Sequence, residues 1–102
     1  MSNIKSLIEN EIEDIIEFRR EMHENPELSF KEFLTTEKLK AKLTNDFIKF
    51  HELSENTGLI GIIKKDPSYK TVAIRADIDA LPITESTGLT FSSKNEGIMH
   101  AC

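Results

Sequence analysis

The chain lacks the several cysteines that hold small secreted domains together and the clusters of basic residues that bind nucleic acid. Of its 102 residues, one is cysteine and none is tryptophan. One cysteine cannot form an internal disulfide, which is typical of a reducing compartment and leaves Cys102 as a free thiol or a ligand. The 13 basic residues are scattered and the formal net charge is -5. No nucleic-acid partner is expected, because a phosphate-binding surface needs clustered Lys and Arg.

Long apolar runs are also missing. No stretch approaches the roughly 18 apolar residues that a bilayer span requires, and the first residues lead into a charged segment rather than a signal sequence. We therefore expect a cytoplasmic protein with no membrane partner. A hydrophobic fraction of 38% with 30% charged residues is typical of an ordered soluble domain, and the length fits a single one.

Two amphipathic helices are predicted in the first half of the chain. Apolar residues recur at spacings of three and four over residues 4–22, with charged residues between them, which predicts a helix of about five turns. Pro26 should end it, because the residue before a proline is disfavoured in helical geometry. Ser29 and Glu32 have capping-box spacing, so a second helix is expected over residues 30–43.

After residue 45 the apolar period changes from near 3.6 to near 2, which marks a change from helix to strand. Strands are predicted over residues 47–53, 59–64 and 70–76, with turns at 56–58 and 66–68. The fold class is therefore α/β, with two N-terminal helices packed on a three-stranded sheet. The helix residues expected to face the sheet are Ile8, Ile12, Ile15 and Phe33, and the strand residues expected to face the helices are Ile60, Ile62 and Val72.

Residues 77–102 lack periodicity and form a long loop, a kind of segment that is usually functional or a linker. Asp77 and Asp79 follow the third predicted strand, where strand ends open onto ligand crevices. Two carboxylates at this spacing can support a metal site, one toward the metal or a ligating His and the other in a supporting hydrogen bond. The alternative is an acidic turn, since Asp is common in turns.

His100 and Cys102 are the second candidate cluster. Imidazole and thiolate are both ligands of Zn²⁺ and other late first-row ions. The alternatives are a nucleophilic Cys102 activated by His100, for which residues two apart are poorly placed, and a thiol with no role. His23 and His51 have no ligand-type neighbours, so they are interpreted as a helix-end or turn histidine and a strand-surface histidine.

Three stretches together resemble the M20 metallopeptidase superfamily, specifically its amidohydrolase branch. They are REMHENPELSFKE at 20–32, RADIDALPITE at 75–85 and GIMHAC at 97–102. That branch includes hippurate hydrolases, N-acyl-amino-acid amidohydrolases and N-acetyl-diaminopimelate deacetylases. The resemblance covers nearly the whole chain in the right order, and the combination is more specific than any single stretch.

The resemblance implies a hydrolase that cleaves the amide bond of an N-acyl amino acid in a zinc-exopeptidase-like catalytic domain. It implies two divalent ions, Zn, Mn, Co or Ni, that polarise the amide carbonyl and lower the pKa of a bridging water, with a Glu as general base. Cys102 would be a metal ligand and Asp79 would support the site. Asp77 takes the place of a metal-binding His of other branches, and with His100 it is expected to lie just outside the ligands.

The family pattern continues beyond Cys102 into Gly-His-Asp, and the other ligands and the general base follow it. We therefore expect residues 1–102, with Met1 as a natural start, to be a partial N-terminal segment of the catalytic domain without the lid and dimerisation domain. Such a segment would be inactive alone, would retain no metal and would self-associate through exposed apolar surface. The alternative is a non-catalytic binding or regulatory segment that pairs with a complementary chain.

Overall fold

The computed structural model describes residues 3–102, so Met1, on which the expected natural start depends, lies outside the described residues. The elements are helices α1 (Ile4–Glu24) and α2 (Phe33–Leu43) and strands β1 (Ile48–Glu52) and β2 (Leu59–Ile63). Within residues 3–102 no helix combines the length and apolarity that crossing a bilayer requires. The prediction of α1 is confirmed, with Asn3 as its N-cap and Pro26 fully buried just beyond its end.

Helix α2 begins at Phe33 rather than at Phe30. Phe30 has a φ of 64°, in the left-handed region that a right-handed helix excludes. The carboxylate of Glu32 accepts a hydrogen bond from the backbone N–H of Phe30 at 2.7 Å, so it does not reach back to Ser29. The predicted capping box is therefore wrong.

Glu27 caps α2 in its place. Its carboxylate accepts from the backbone N–H of Thr35 at 2.5 Å and from the Thr35 hydroxyl at 2.6 Å. The backbone N–H of Leu34 donates to the other oxygen at 3.3 Å. An anion at a helix N-terminus satisfies N–H groups that have no partner within the helix and is favoured by the helix dipole. The cap comes from outside the helix, so spacing near the helix start does not reveal it.

Strands β1 and β2 form an antiparallel hairpin in which Ile48 pairs with Ile63. The connecting turn contains Asn56 and Gly58 in the left-handed region, with φ of 59° and 74°, which is why Asn and Gly are suited to these positions. The backbone N–H of Gly58 donates to the Thr36 hydroxyl at 2.7 Å and ties the turn to α2. Both strands and the turn agree with the prediction.

The third predicted strand is wrong. Among residues 3–102 the sheet has two strands, and residues 70–76 belong to no strand. Val72 and Ile74 are 84% and 96% exposed. Their β-branched side chains favour an extended backbone, but a strand also needs a neighbouring ladder to receive its hydrogen bonds.

The predicted interface between the helices and the sheet is not formed by the expected residues. The residues expected at that interface are all exposed, namely Ile8, Ile12, Ile15, Phe33, Ile60, Ile62 and Val72. The buried residues instead gather between the end of α1, the start of α2 and the long loop. They include His23, Pro26, Glu32, Thr35 and Ala80. The best-packed part of the molecule is therefore the region that adjoins the predicted site residues.

We expect the isolated chain to self-associate and to melt at low temperature. The apolar side chains of α1 and β2 are exposed in contiguous stripes, and such surface favours association. Sedimentation velocity over a range of concentrations should show species larger than a monomer. A monomer that unfolds in one sharp transition above about 65 °C would contradict this expectation, because that lies beyond the usual range of mesophile domains.

Candidate functional site

Three of the four predicted site residues line one cavity of about 400 Å³ beside the end of α1. They are Asp77, His100 and Cys102. Apolar side chains supply much of the remaining wall, among them Phe18, Met22, Leu39 and Ile78. Asp79 does not line this cavity. A second cavity of about 370 Å³ lies between α2 and the hairpin and contains none of the predicted residues.

The two aspartates have different surroundings. Asp77 is exposed, and its carboxylate accepts a hydrogen bond from the guanidinium of Arg75 at 2.7 Å. Asp79 is half-buried, next to the buried Ala80. In this structure Asp77 forms an ion pair on the surface, and Asp79 has the more sheltered position that a supporting carboxylate needs.

His100 is half-buried, and within the described residues its Nε2 atom is buried with no hydrogen-bond partner. Burial lowers the pKa of the imidazole, the nearby His23 lowers it further, and the backbone and charge of Asp79 oppose these effects. A neutral imidazole with an open nitrogen can accept a proton or bind a metal ion. This nitrogen makes no hydrogen bond to the Cys102 thiol, so the predicted alternative of a Cys nucleophile activated by His100 has no geometric support.

Among residues 3–102 the side chains that could bind a metal ion are too few at any one place to form a metal centre. Cys102 is exposed and free, and over residues 3–102 no group of three or more His, Cys, Asp or Glu side chains is placed to hold a metal ion. A zinc site needs about three or four protein ligands. The open His100 nitrogen and the Cys102 thiol are donors of the right type, but by themselves they do not fit a metal ion.

His23 has a partner that sequence reasoning missed. Its Nε2 lies 2.8 Å from Oε1 of Glu85, and the two side chains are 11% and 4% exposed. The ring of Phe91 lies edge-on to the His23 ring, with centroids 5.7 Å apart. His23 does lie at a helix end and His51 on a strand surface, as predicted. The only sequence signal for Glu85 is that it ends the second stretch that resembles the family.

Glu85 is strongly stabilised as a carboxylate. Hydrogen bonds from the Thr87 hydroxyl and from the backbone N–H of Ser93 at 2.9 Å lower the pKa of Glu85 to about 2, with His23 adding to them and burial opposing them. An ionised carboxylate only accepts hydrogen bonds. The proton between the two side chains therefore belongs to Nε2 of His23.

This depressed pKa predicts an acid-sensitive structure. Because the pKa of Glu85 falls from 4.5 to about 2 on folding, its contribution to stability is complete above about pH 4.5 and is lost as the pH falls toward 2. We expect the urea concentration at which half of the native chain is unfolded to decrease as the pH is lowered from 4.5 to 2. The midpoint of Glu85→Gln should be lower at pH 6 and should change less between pH 4.5 and 2. Equal pH dependence of the two proteins would contradict the assignment.

The comparisons with known proteins agree with the predicted resemblance. The chain is 48% identical over 89 residues to N-acetylcysteine deacetylase of Bacillus subtilis, covering 86% of this chain and 23% of that protein. It is 44% identical over 84 residues to hippurate hydrolase of Campylobacter jejuni, covering 82% of this chain and 22% of that protein. No protein-family model matches the chain.

Solved structures also resemble this chain. One is a crystal structure of a Bacillus subtilis protein described as a dinuclear metal-binding peptidase from the M20 family, with a TM-score of 0.80, 48% identity and coverage of 87% of this chain and 25% of that one. A second, from methicillin-resistant Staphylococcus aureus, has a TM-score of 0.87 and 40% identity, covering 95% of this chain and 26% of that one.

These likenesses define the class. The chain resembles the M20 amidohydrolases over most of its length, and the resemblance predicted from its three stretches is confirmed. It spans about a quarter of the length of the relatives that it matches.

Proposed function

We propose that these 102 residues are the N-terminal part of the catalytic domain of an amidohydrolase that cleaves N-acyl amino acids. The observation that carries the proposal is the 48% identity, over 86% of this chain, to an enzyme named for the deacetylation of N-acetylcysteine. A relative named hippurate hydrolase supports the same substrate class, because hippurate is also an N-acyl amino acid. The lid and dimerisation domain would lie outside these residues.

The proposal assigns catalysis to a longer protein. When bound, two divalent ions of the Zn, Mn, Co or Ni type supply Lewis-acid activation of the amide carbonyl and of water. Within this chain Cys102 is the proposed ligand and Asp79 the proposed supporting carboxylate, with Asp77 and His100 beside them. The described residues bring together too few donors for one such ion. The remaining ligands and the general base are therefore proposed to come from outside this segment.

A second candidate function is a non-catalytic segment that pairs with a complementary chain. The observation that favours it is the exposed apolar face of α1 and β2, which offers contact surface. The two candidates differ in one respect that can be measured, because only the first requires that these residues support turnover when joined to the rest of a catalytic domain.

The test is a chimera in which residues 1–102 replace the matching quarter of the Bacillus subtilis N-acetylcysteine deacetylase. We expect the chimera, supplied with Mn²⁺, Co²⁺ or Zn²⁺, to hydrolyse N-acetylcysteine or hippurate, and the 102-residue chain to release no product under the same conditions. The unmodified deacetylase is the positive control. Turnover by the 102-residue chain alone, or a folded chimera without activity, would contradict the proposal.

A further inference from the structure

The contacts of Glu85 join the end of α1 to the segment that carries His100 and Cys102. One carboxylate oxygen of Glu85 accepts from His23 Nε2 at 2.8 Å and from the backbone N–H of Ser93 at 2.9 Å. The other accepts from the Thr87 hydroxyl. Glu85 is half-buried with its side chain 4% exposed, so its carboxylate is a sheltered anion with three donors around it. Buried anions with this many donors hold their surroundings in one arrangement, because loss of any donor leaves a charge poorly solvated.

Ser93 continues the connection toward the end of the chain. Its hydroxyl donates to the backbone carbonyl of Ile98 at 2.7 Å. Met99 then exchanges two backbone hydrogen bonds with Leu81, at 2.9 and 3.0 Å. His100 follows directly. Hydrogen bonds therefore connect His23 through Glu85 and Ser93 to the Ile98 carbonyl, and the Met99–Leu81 pair separately holds the residue before His100.

The same loop is also held from the surface by weaker contacts. The Lys94 ammonium lies 2.8 Å from the Glu24 carboxylate, and 69% of the Lys94 side chain is exposed. Exposed ion pairs of this kind contribute little to stability. Glu24 therefore offers a matched comparison, since it anchors the same loop to the same helix end with a side chain that is 25% exposed.

We propose that Glu85 is a positioning residue which, through Ser93 and His23, sets where His100 and Cys102 lie relative to the end of α1. It touches neither residue. Its part in hydrolysis rests on the proposed function above, whereas its positioning effect is a property of the chain without substrate or metal.

The test uses the ¹⁵N-labelled chain in NMR experiments without metal. In Glu85→Ala we expect the His100 ring resonances to shift and the Met99 amide to exchange about tenfold faster, the scale of one hydrogen bond to a charged group. Amides in the middle of α1 should change less than twofold. Glu85→Gln, which retains an acceptor of the same shape, should restore most of the native pattern. Glu24→Ala should leave both signals unchanged.

General destabilisation gives a different result. If Glu85 only contributes to stability, amide exchange of Met99 and of the middle of α1 increases by the same factor in Glu85→Ala. The His100 resonances of the folded form then do not shift, and this result would overturn the proposal. If Glu85→Ala does not fold, the Ser93→Ala variant tests the proposal in its place. In that variant the His100 ring resonances should shift and the Met99 amide should exchange faster, while the His23 Nε2 resonance stays unchanged. Unchanged His100 resonances would refute the series of contacts. Because no substrate is present, an inactive chimera would not affect this result.

Discussion

Replacing Cys102 with alanine in the chimera is expected to reduce hydrolysis of N-acetylcysteine by more than about a hundredfold. The loss of activity should exceed the 10- to 100-fold loss that typically follows removal of an outer partner of a metal ligand. Alanine provides no donor atom, whereas a thiolate binds zinc directly. The measurement is kcat/KM together with the metal content of the purified protein, and we expect both to fall.

The matched control is Asp77→Asn in the same chimera. Asp77 is exposed and paired with Arg75 on the surface, so we expect kcat/KM to fall by no more than about tenfold, the low end of the 10- to 100-fold typical of an outer partner of a metal ligand. If Cys102→Ala retains full activity and metal content, Cys102 is not a ligand and the site assignment is wrong.

Replacing Glu27 with alanine should destabilise the chain by about 2 to 3 kcal/mol. The carboxylate accepts three hydrogen bonds at the start of α2, two of them from the buried Thr35. Hydrogen bonds to charged groups contribute about 1.5 to 3 kcal/mol, and loss of an N-cap costs about 0.5 to 2 kcal/mol. At roughly 4 to 8 °C per kcal/mol for a domain of this size, the melting temperature should fall by about 10 °C or more.

Glu37→Ala is the control for this prediction, because Glu37 lies on the exposed surface of the same helix. Its effect should remain within about 0.5 kcal/mol. Urea unfolding followed by circular dichroism measures both variants. Equal losses of stability in the two would show that the Glu27 contacts do not cap α2.

Local patterns predicted the local structure. The apolar spacing and Pro26 located α1, and the strands and turn of the hairpin follow from residues within a few positions of one another. The prediction of a strand over residues 70–76 failed because propensity predicts an extended backbone but not whether another strand lies beside it. The prediction of the residues between the helices and the sheet failed for a related reason. An apolar stripe indicates which side chains can be buried, but it does not indicate which element will pack against them.

The roles given to the site residues stay predictions. Asp77, His100 and Cys102 were singled out by ligand chemistry, and the structure places them in one cavity. Glu85 was missed because its contact with His23 spans 62 positions in the chain. A lone Glu in a polar loop has no periodicity or spacing that distinguishes it from a solvated residue. Contacts between distant parts of the chain are what single-sequence patterns do not contain.

The separation between His23 and Glu85 also sets the order in which the molecule assembles. Helix α1, helix α2 and the hairpin use neighbouring residues, and such elements form within about 0.1 to 10 μs. The contacts of Glu85 with His23, and of Asn95 with the Pro26 carbonyl, close loops of 62 and 69 positions, and the entropy of loop closure must be overcome before those contacts stabilise anything. During synthesis α1 is complete long before its loop partners leave the ribosome. The region around His100 is therefore expected to become ordered after α1, α2 and the hairpin.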